Sequence, residues 1–195
     1  TLNMTLDSHM MKNMEWGATT YLAESQYGRN GTEISVNQCS GCITGAGRGV
    51  DGTDYTKSKI KPEQRYNGNI GKLSSTTGNI YGIYDMSGGA YDYVMGFYGT
   101  AENTPTLGST GFSSVPERKY YDLYINKTYV DSSNKGDALF ETKSWKGDYT
   151  MFVSSTSPVF LRGAVFGATS GTFSFSNDSG IGAPYGSFRV CLAVK

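Results

Sequence analysis

The run "NIYGIYDMSGGAYDYVMGFY", residues 79–98, constrains this chain more than any other stretch. Aromatic and β-branched side chains suit a pleated, half-buried surface, and Ser87-Gly88-Gly89 in the middle supplies turn conformations. The pattern predicts two strands, 79–86 and 90–98, joined by that turn. Further strands are predicted at "YYDLYI" (120–125) and near the end in "PVFLRGAVF", "GTFSF" and "GSFRVCLAV". One helix is predicted early. Asn13 can cap it, Glu15 lies in its first turn, and Met14, Ala18, Tyr21, Leu22 and Ser25 recur at helical spacing before Gly28 stops it. Residues 136–145 read equally as a short helix or a strand. Residues 31–69, apart from one or two short strands such as "EISVN", and residues 99–118 carry loop chemistry. The reading is a single α+β domain over residues 1–195, loop-rich and with few helices, long enough for one real core.

Composition narrows the function classes. With 17 basic and 17 acidic residues the net charge is zero, so no long-range field draws the chain to nucleic acid or an anionic membrane. The longest apolar runs are four or five residues, far short of a bilayer span. No signal-peptide pattern is visible, and with Thr at position 1 that absence proves little. The 26 Gly and 15 Tyr match the palette of binding loops, and equally that of a β protein with many tight turns.

Cys39 and Cys42 in "CSGC" allow a small disulfide, half a zinc site or a redox pair. Zinc there would need two more ligands, and His9 is the only histidine. The turn-rich "ITGAGRGVDG" that follows opposes a redox helix, which leaves a local disulfide or two free thiols. Cys191 alternates with apolar neighbours in "FRVCLAV" and reads as a buried core thiol.

The C-terminal stretch poses a separate question. "FLRG" (160–163) and "SFRV" (187–190) flank more than twenty mostly small and polar residues. Such a length is unusual for a plain loop in a compact domain and suits a displayed surface.

Three segments, in order, resemble the formylglycine-generating-enzyme (sulfatase-modifying factor) family, which has a C-type-lectin-like fold. "MKNMEWGATTYLAESQYG" is similar to the family's Glu-Trp helix, "NIYGIYDMSGGAYDYV" to its central motif, and "FLRGAVF…GSFRVCLA" to its ending. The generating enzymes carry cysteines just after the Arg-Gly pair to hold copper. Here that segment reads "AVFGATSGTF", without cysteine, and iron-dependent relatives need more histidines than His9. A nucleophile–base pair would likewise have only His9 as its base. The expectation is therefore no enzyme and no required cofactor.

The chain looks more like a non-enzymatic branch, the variable proteins of diversity-generating retroelements of gut Firmicutes and their phages. That resemblance implies a ligand-binding protein, extracellular, on a cell surface or virion, whose C-terminal segment (160–193) is diversified on a fixed scaffold. Its partner would be a protein or glycan on a cell surface, with no nucleic acid and no membrane insertion. Alternatives are a fixed-specificity adhesin or phage tail module of the same fold, and a divergent oxidoreductase of the formylglycine-generating type. Scaffold positions would be Phe160, Leu161, Arg162, Gly163, Phe173, Phe175, Phe188, Arg189, Val190 and Leu192. Binding positions would be Val165, Phe166, Ala168, Ser174, Ser176, Asn177, Asp178, Ile181, Ala183, Pro184 and Tyr185. The arginines would hold the loop ends, since their planar fork matches carbonyls and carboxylates. Some relatives bind calcium at the central motif, where the matching positions are Asp85, Gly88, Ala90 and Asp92. The other reading of Asp85 and Asp92 is as turn and surface carboxylates satisfied by backbone N–H groups.

Overall fold

A computed structural model describes residues 6–37, 45–47, 60–125, 135–163 and 171–194. Its centre is a sheet, as the aromatic run predicts, but only half of that run is strand. β2 covers Tyr91–Ala101, whereas residues 79–86 form turns and extended links. Ser75, Thr76 and Asn79 capture the backbone of this region. Thr76 Oγ1 accepts the Ile83 N–H at 3.0 Å and Ser75 Oγ donates to the Asn79 carbonyl at 2.6 Å. Short polar side chains thus supply the partners a strand would have needed.

β2 is the organiser. The strands β3 (Thr104–Pro105), β4 (Asp122–Ile125), β5 (Val159–Arg162) and β7 (Gly186–Phe188) all pair with it, and β6 (Phe175–Asp178) pairs with β5. β5 runs antiparallel along one edge, with Asp92 opposite Arg162 and Phe97 opposite Val159. The register between them slips, because four steps on β2 match two on β5, the mark of a bulge. On the other edge the parallel strands β7 and β4 lie end to end, against Tyr91–Tyr93 and Gly96–Gly99.

Met11 fills the gap between them. Its carbonyl accepts the Met95 N–H at 2.8 Å, and its own N–H donates to the Arg189 carbonyl at 2.9 Å. One backbone unit therefore joins the main sheet to a second, two-stranded antiparallel sheet of β1 (Leu6–Met10) and β8 (Val190–Val194). Among the described residues the sheets are mostly antiparallel and there is one α-helix, compatible with the α+β, loop-rich reading.

The helix α1 spans Asn13–Glu24, but its cap and its buried face differ from the expectation. Lys12 is the N-cap residue, and Glu15 reaches back to accept its N–H at 2.8 Å, half of a capping box. Asn13 is instead fully buried inside the first turn. The buried face is Asn13, Trp16, Gly17, Thr20 and Ala23, while Leu22 is exposed. Gly17 explains the choice. A Cβ there would stand 2.2 Å from the Gly136 carbonyl oxygen, so only glycine lets the helix lie against the 136–137 backbone.

Trp16 then packs inward with Met86, Val94, Tyr124, Leu139 and Phe160, forming the main core with Phe175. Residues 136–145, ambiguous in sequence, form a turn followed by short 3-10 segments at Phe140–Thr142 and Trp145–Gly147. No helix among the described residues is long and apolar enough to cross a membrane.

Candidate functional site

The two arginines fix the ends of the C-terminal segment by different chemistry. Arg162, at the end of β5, is fully buried, and its guanidinium donates to the carbonyls of Asp137 at 3.3 Å and Ala138 at 3.0 Å. It also lies over the Trp16 and Phe175 rings. Desolvation pulls its pKa down to about 10, opposed by the nearby Asp137 carboxylate. Arg189, between β7 and β8, donates through Nε to Asp92 Oδ2 at 2.5 Å. Ser187 Oγ donates to the other oxygen, Asp92 Oδ1. Asp92 is buried on β2, and desolvation raises its pKa against the opposing pull of Arg189.

This arrangement bears on calcium. Both oxygens of Asp92 accept protein donors, one of them a fixed cation. Asp85 accepts the Asn37 amide at 2.9 Å and the Gly45 N–H at 3.1 Å. Gly88 and Ala90 lie in the turn between them, where the Ala90 N–H donates to the Gly88 carbonyl. Calcium takes six to eight oxygens; here the two oxygens of Asp92 already accept a guanidinium and a hydroxyl, and those of Asp85 accept N–H donors.

The proposed binding positions divide into three groups. Val165, Phe166 and Ala168 lie outside the described residues, as do Cys39 and Cys42. Several others hold the loop rather than face outward. Ser174 is a correction: it is buried, with its hydroxyl donating to the Tyr149 carbonyl at 3.2 Å. The reason is that residues 148–152 cover this stretch. Phe175 N–H donates to the Tyr149 carbonyl, Met151 N–H donates to the Phe175 carbonyl, and Asp148 accepts the Phe173 N–H at 3.0 Å. Thr172 through Phe175 are therefore all buried, where simple alternation predicted one inward face. Asn177 donates its side-chain amide to the Phe152 carbonyl. Asp178 Oδ1 accepts the Gly180 N–H at 2.7 Å and sits 3.1 Å from the Tyr93 hydroxyl. Ser176 is half-buried on β6, opposite Leu161.

The third group is displayed. Ile181 is 62% exposed and Tyr185 56% exposed, with Pro184 exposed and Ala183 half-buried beside them. Their backbone is pinned from below. The Ile181 carbonyl lies 2.8 Å from the Tyr93 hydroxyl, and the Tyr185 carbonyl accepts the Tyr91 N–H at 2.9 Å. The Ser109 N–H donates to the Ser179 carbonyl at 2.7 Å.

Beneath this arch opens an apolar cleft of about 310 Å³. Gly180, Gly182 and Ala183 form one wall and Phe112 another, with Tyr93, Phe97, Met10 and Phe188 also lining it. Sequence reasoning missed Phe112, because residues 99–118 carry only loop chemistry; its edge-on contact with Phe97, 6.5 Å between centroids, is a long-range accident of folding.

The scaffold expectation is corrected at the second flank. Phe160, Leu161, Arg162, Phe173 and Phe175 are buried, but Phe188, Val190 and Leu192 are each more than 60% exposed. Among the described residues β8 pairs only with β1, and its Val190 and Leu192 side chains are exposed. Cys191 points the opposite way, packed against the main core; desolvation and then Glu15 push its thiol up to about 11. It stays protonated at neutral pH and offers no ready nucleophile.

The fold and site thus define a mixed α+β domain with a pinned, exposed loop over an apolar cleft. Comparison with family models, curated proteins and solved structures gives no match to this chain.

Proposed function

We propose that the chain is a non-enzymatic ligand-binding module with a C-type-lectin-like scaffold related to the formylglycine-generating-enzyme family. On this reading the C-terminal region 160–193 is diversified as in retroelement variable proteins, its exposed positions from Ile181 to Tyr185 contribute to the contact surface, and the ligand is a protein or glycan on a cell surface. The module then acts outside the cell or on a virion. The observation that carries the reading is the exposed arch of Ile181–Tyr185 above the apolar cleft, held by backbone bonds rather than by its own outward side chains. A loop whose path does not depend on its outward side chains can vary them at little structural cost. Exposed Ile and Tyr beside a concave apolar wall are the residues that anchor an interface.

The test is resequencing of the segment encoding 160–193 across one source population. Substitutions concentrated at Val165, Phe166, Ala168, Ile181, Ala183, Pro184 and Tyr185, with "FLRG" intact, support diversification. A uniform segment overturns it and leaves a fixed-specificity adhesin or tail module, to be screened against glycans and surface proteins. Binding that survives EDTA would match the occupied carboxylates at Asp85 and Asp92. Oxidation of a cysteine-containing peptide in the presence of copper would instead support an oxidoreductase.

A further inference from the structure

Away from the loop, three chemically different ligands converge where β1, the start of α1 and β8 meet. The donor atoms of His9, Glu15 and Cys191 all lie within 4.8 Å of one another. His9 Nε2 and Glu15 Oε1 are 2.7 Å apart. The grouping is built by the fold. His9 and Cys191 are directly opposed in the β1–β8 ladder, on the face turned toward α1. Glu15 is held in place by the Lys12 N–H that its second oxygen accepts.

We infer that His9, Glu15 and Cys191 form a zinc site. An imidazole, a thiolate and a carboxylate are the ligand types zinc accepts together, whereas calcium and magnesium want oxygen alone. Zinc bonds of about 2.0–2.3 Å in a tetrahedron hold ligand atoms roughly 3.3–3.8 Å apart. The His9–Glu15 pair has to open by less than about 1 Å to reach that spacing, leaving a fourth position for water.

A second observation concerns the far side of the ring. His9 Nδ1 is buried and has no hydrogen-bond partner among the described residues, and Asp7 Oδ1 stands 3.8 Å behind it. A metal-bound imidazole commonly donates its other N–H to a carboxylate. Proton balance follows. When the ring donates Nε2–H to Glu15, zinc at Nε2 requires that proton to sit on Nδ1 instead, where it stays on the ring and can be donated in a hydrogen bond toward Asp7. The Cys191 thiol proton leaves to solvent. Zn²⁺ then meets one thiolate and one carboxylate, and the site is neutral. Lys12 Nζ, 3.9 Å from Glu15 Oε1, competes for that oxygen but has the Lys119 carbonyl as another acceptor at 3.2 Å.

The experiment uses the full chain with Cys39→Ser and Cys42→Ser, so that Cys191 is the only thiol, with the wild-type chain in parallel. After metal is stripped, Zn²⁺ is titrated by calorimetry and Co²⁺ by absorbance. One equivalent of zinc bound at micromolar concentration or tighter is expected, with a rise in Tm. Co²⁺ should give a thiolate charge-transfer band that Cys191→Ser abolishes. His9→Gln should weaken zinc binding at least about tenfold in both backgrounds. Circular dichroism of each metal-free variant establishes that it is folded. No zinc uptake by the folded wild-type chain overturns the site. So does uptake that neither substitution changes.

Discussion

"FLRG" and "SFRV" look alike in sequence, each an aromatic–x–Arg or aromatic–Arg strand at one end of the same loop, yet the structure treats them oppositely. The first lies in β5, between β2 and β6, and both of its faces are covered. The second straddles β7 and β8, at the junction of two sheets, and its apolar side chains face outward. Their arginines differ in the same sense. Arg162 is buried and bonded to neutral carbonyls, whereas Arg189 is partly exposed and paired with a carboxylate. The lesson is that strand propensity says nothing about how many neighbours a strand receives. Burial comes from sheet position.

The largest effect that would break this contrast is at the aromatic pair. Phe160→Ala removes a ring packed against Tyr124 and Phe152, at 4.9 and 5.1 Å between centroids. It should cost about 3–5 kcal/mol in urea unfolding, while Phe188→Ala should cost well under that, about 1 kcal/mol or less. Equal losses would mean that the second flank is covered after all.

Next is Arg189→Ala, which leaves the Asp92 carboxylate buried beside Ser187 alone. Removing one partner of a buried pair costs about 3–5 kcal/mol. Arg189 is partly exposed, so roughly 2 kcal/mol is expected, most of it recovered in Arg189→Ala with Asp92→Asn. A double variant no more stable than the single one would show that the pair acts only through packing.

The last test sharpens the contrast through pH. Asp148, which accepts the Phe173 N–H at the base of the loop, has its pKa raised by desolvation, and then by Glu33, to about 7 from 3.8. The folded chain therefore holds this proton more tightly than the unfolded one, and its stabilising contribution is complete below the unfolded value. That contribution falls as pH rises from about 4 to about 7. Asp148→Asn keeps an acceptor for Phe173 and should flatten this slope. An unchanged Tm–pH profile would refute the assignment.

How much of this was legible in the sequence follows the same physics. The early helix, the strand at 91–98, β4 and β5 were readable, because each rests on local propensity and a clear stop signal. Residues 79–86 were not, since the competing hydroxyls of Ser75 and Thr76 act across several residues. The buried face of α1 was misread because Gly17 chooses it, through contact with a backbone more than a hundred residues away. At the candidate site, the exposure of Ile181 and Tyr185 was legible from the small and polar residues around them. The structural duties of Ser174, Asn177 and Asp178 were not, because Tyr149, Phe152 and Tyr93, their partners, come from distant segments.

The pairing of β1 with β8 also has a consequence for biosynthesis. Leu6 lies opposite Val194, and β2 finds β5 and β7 only among residues 159–188. A ribosome makes the central strand and the first strand long before it makes their partners. The nascent chain must therefore carry two open strand edges, one of them rich in aromatic residues, until residues 159–194 have been made. Folding then waits on long-range closures, which are slow. The diversified segment of the proposal lies between those partner strands, so each new variant is tried while these long-range pairings close.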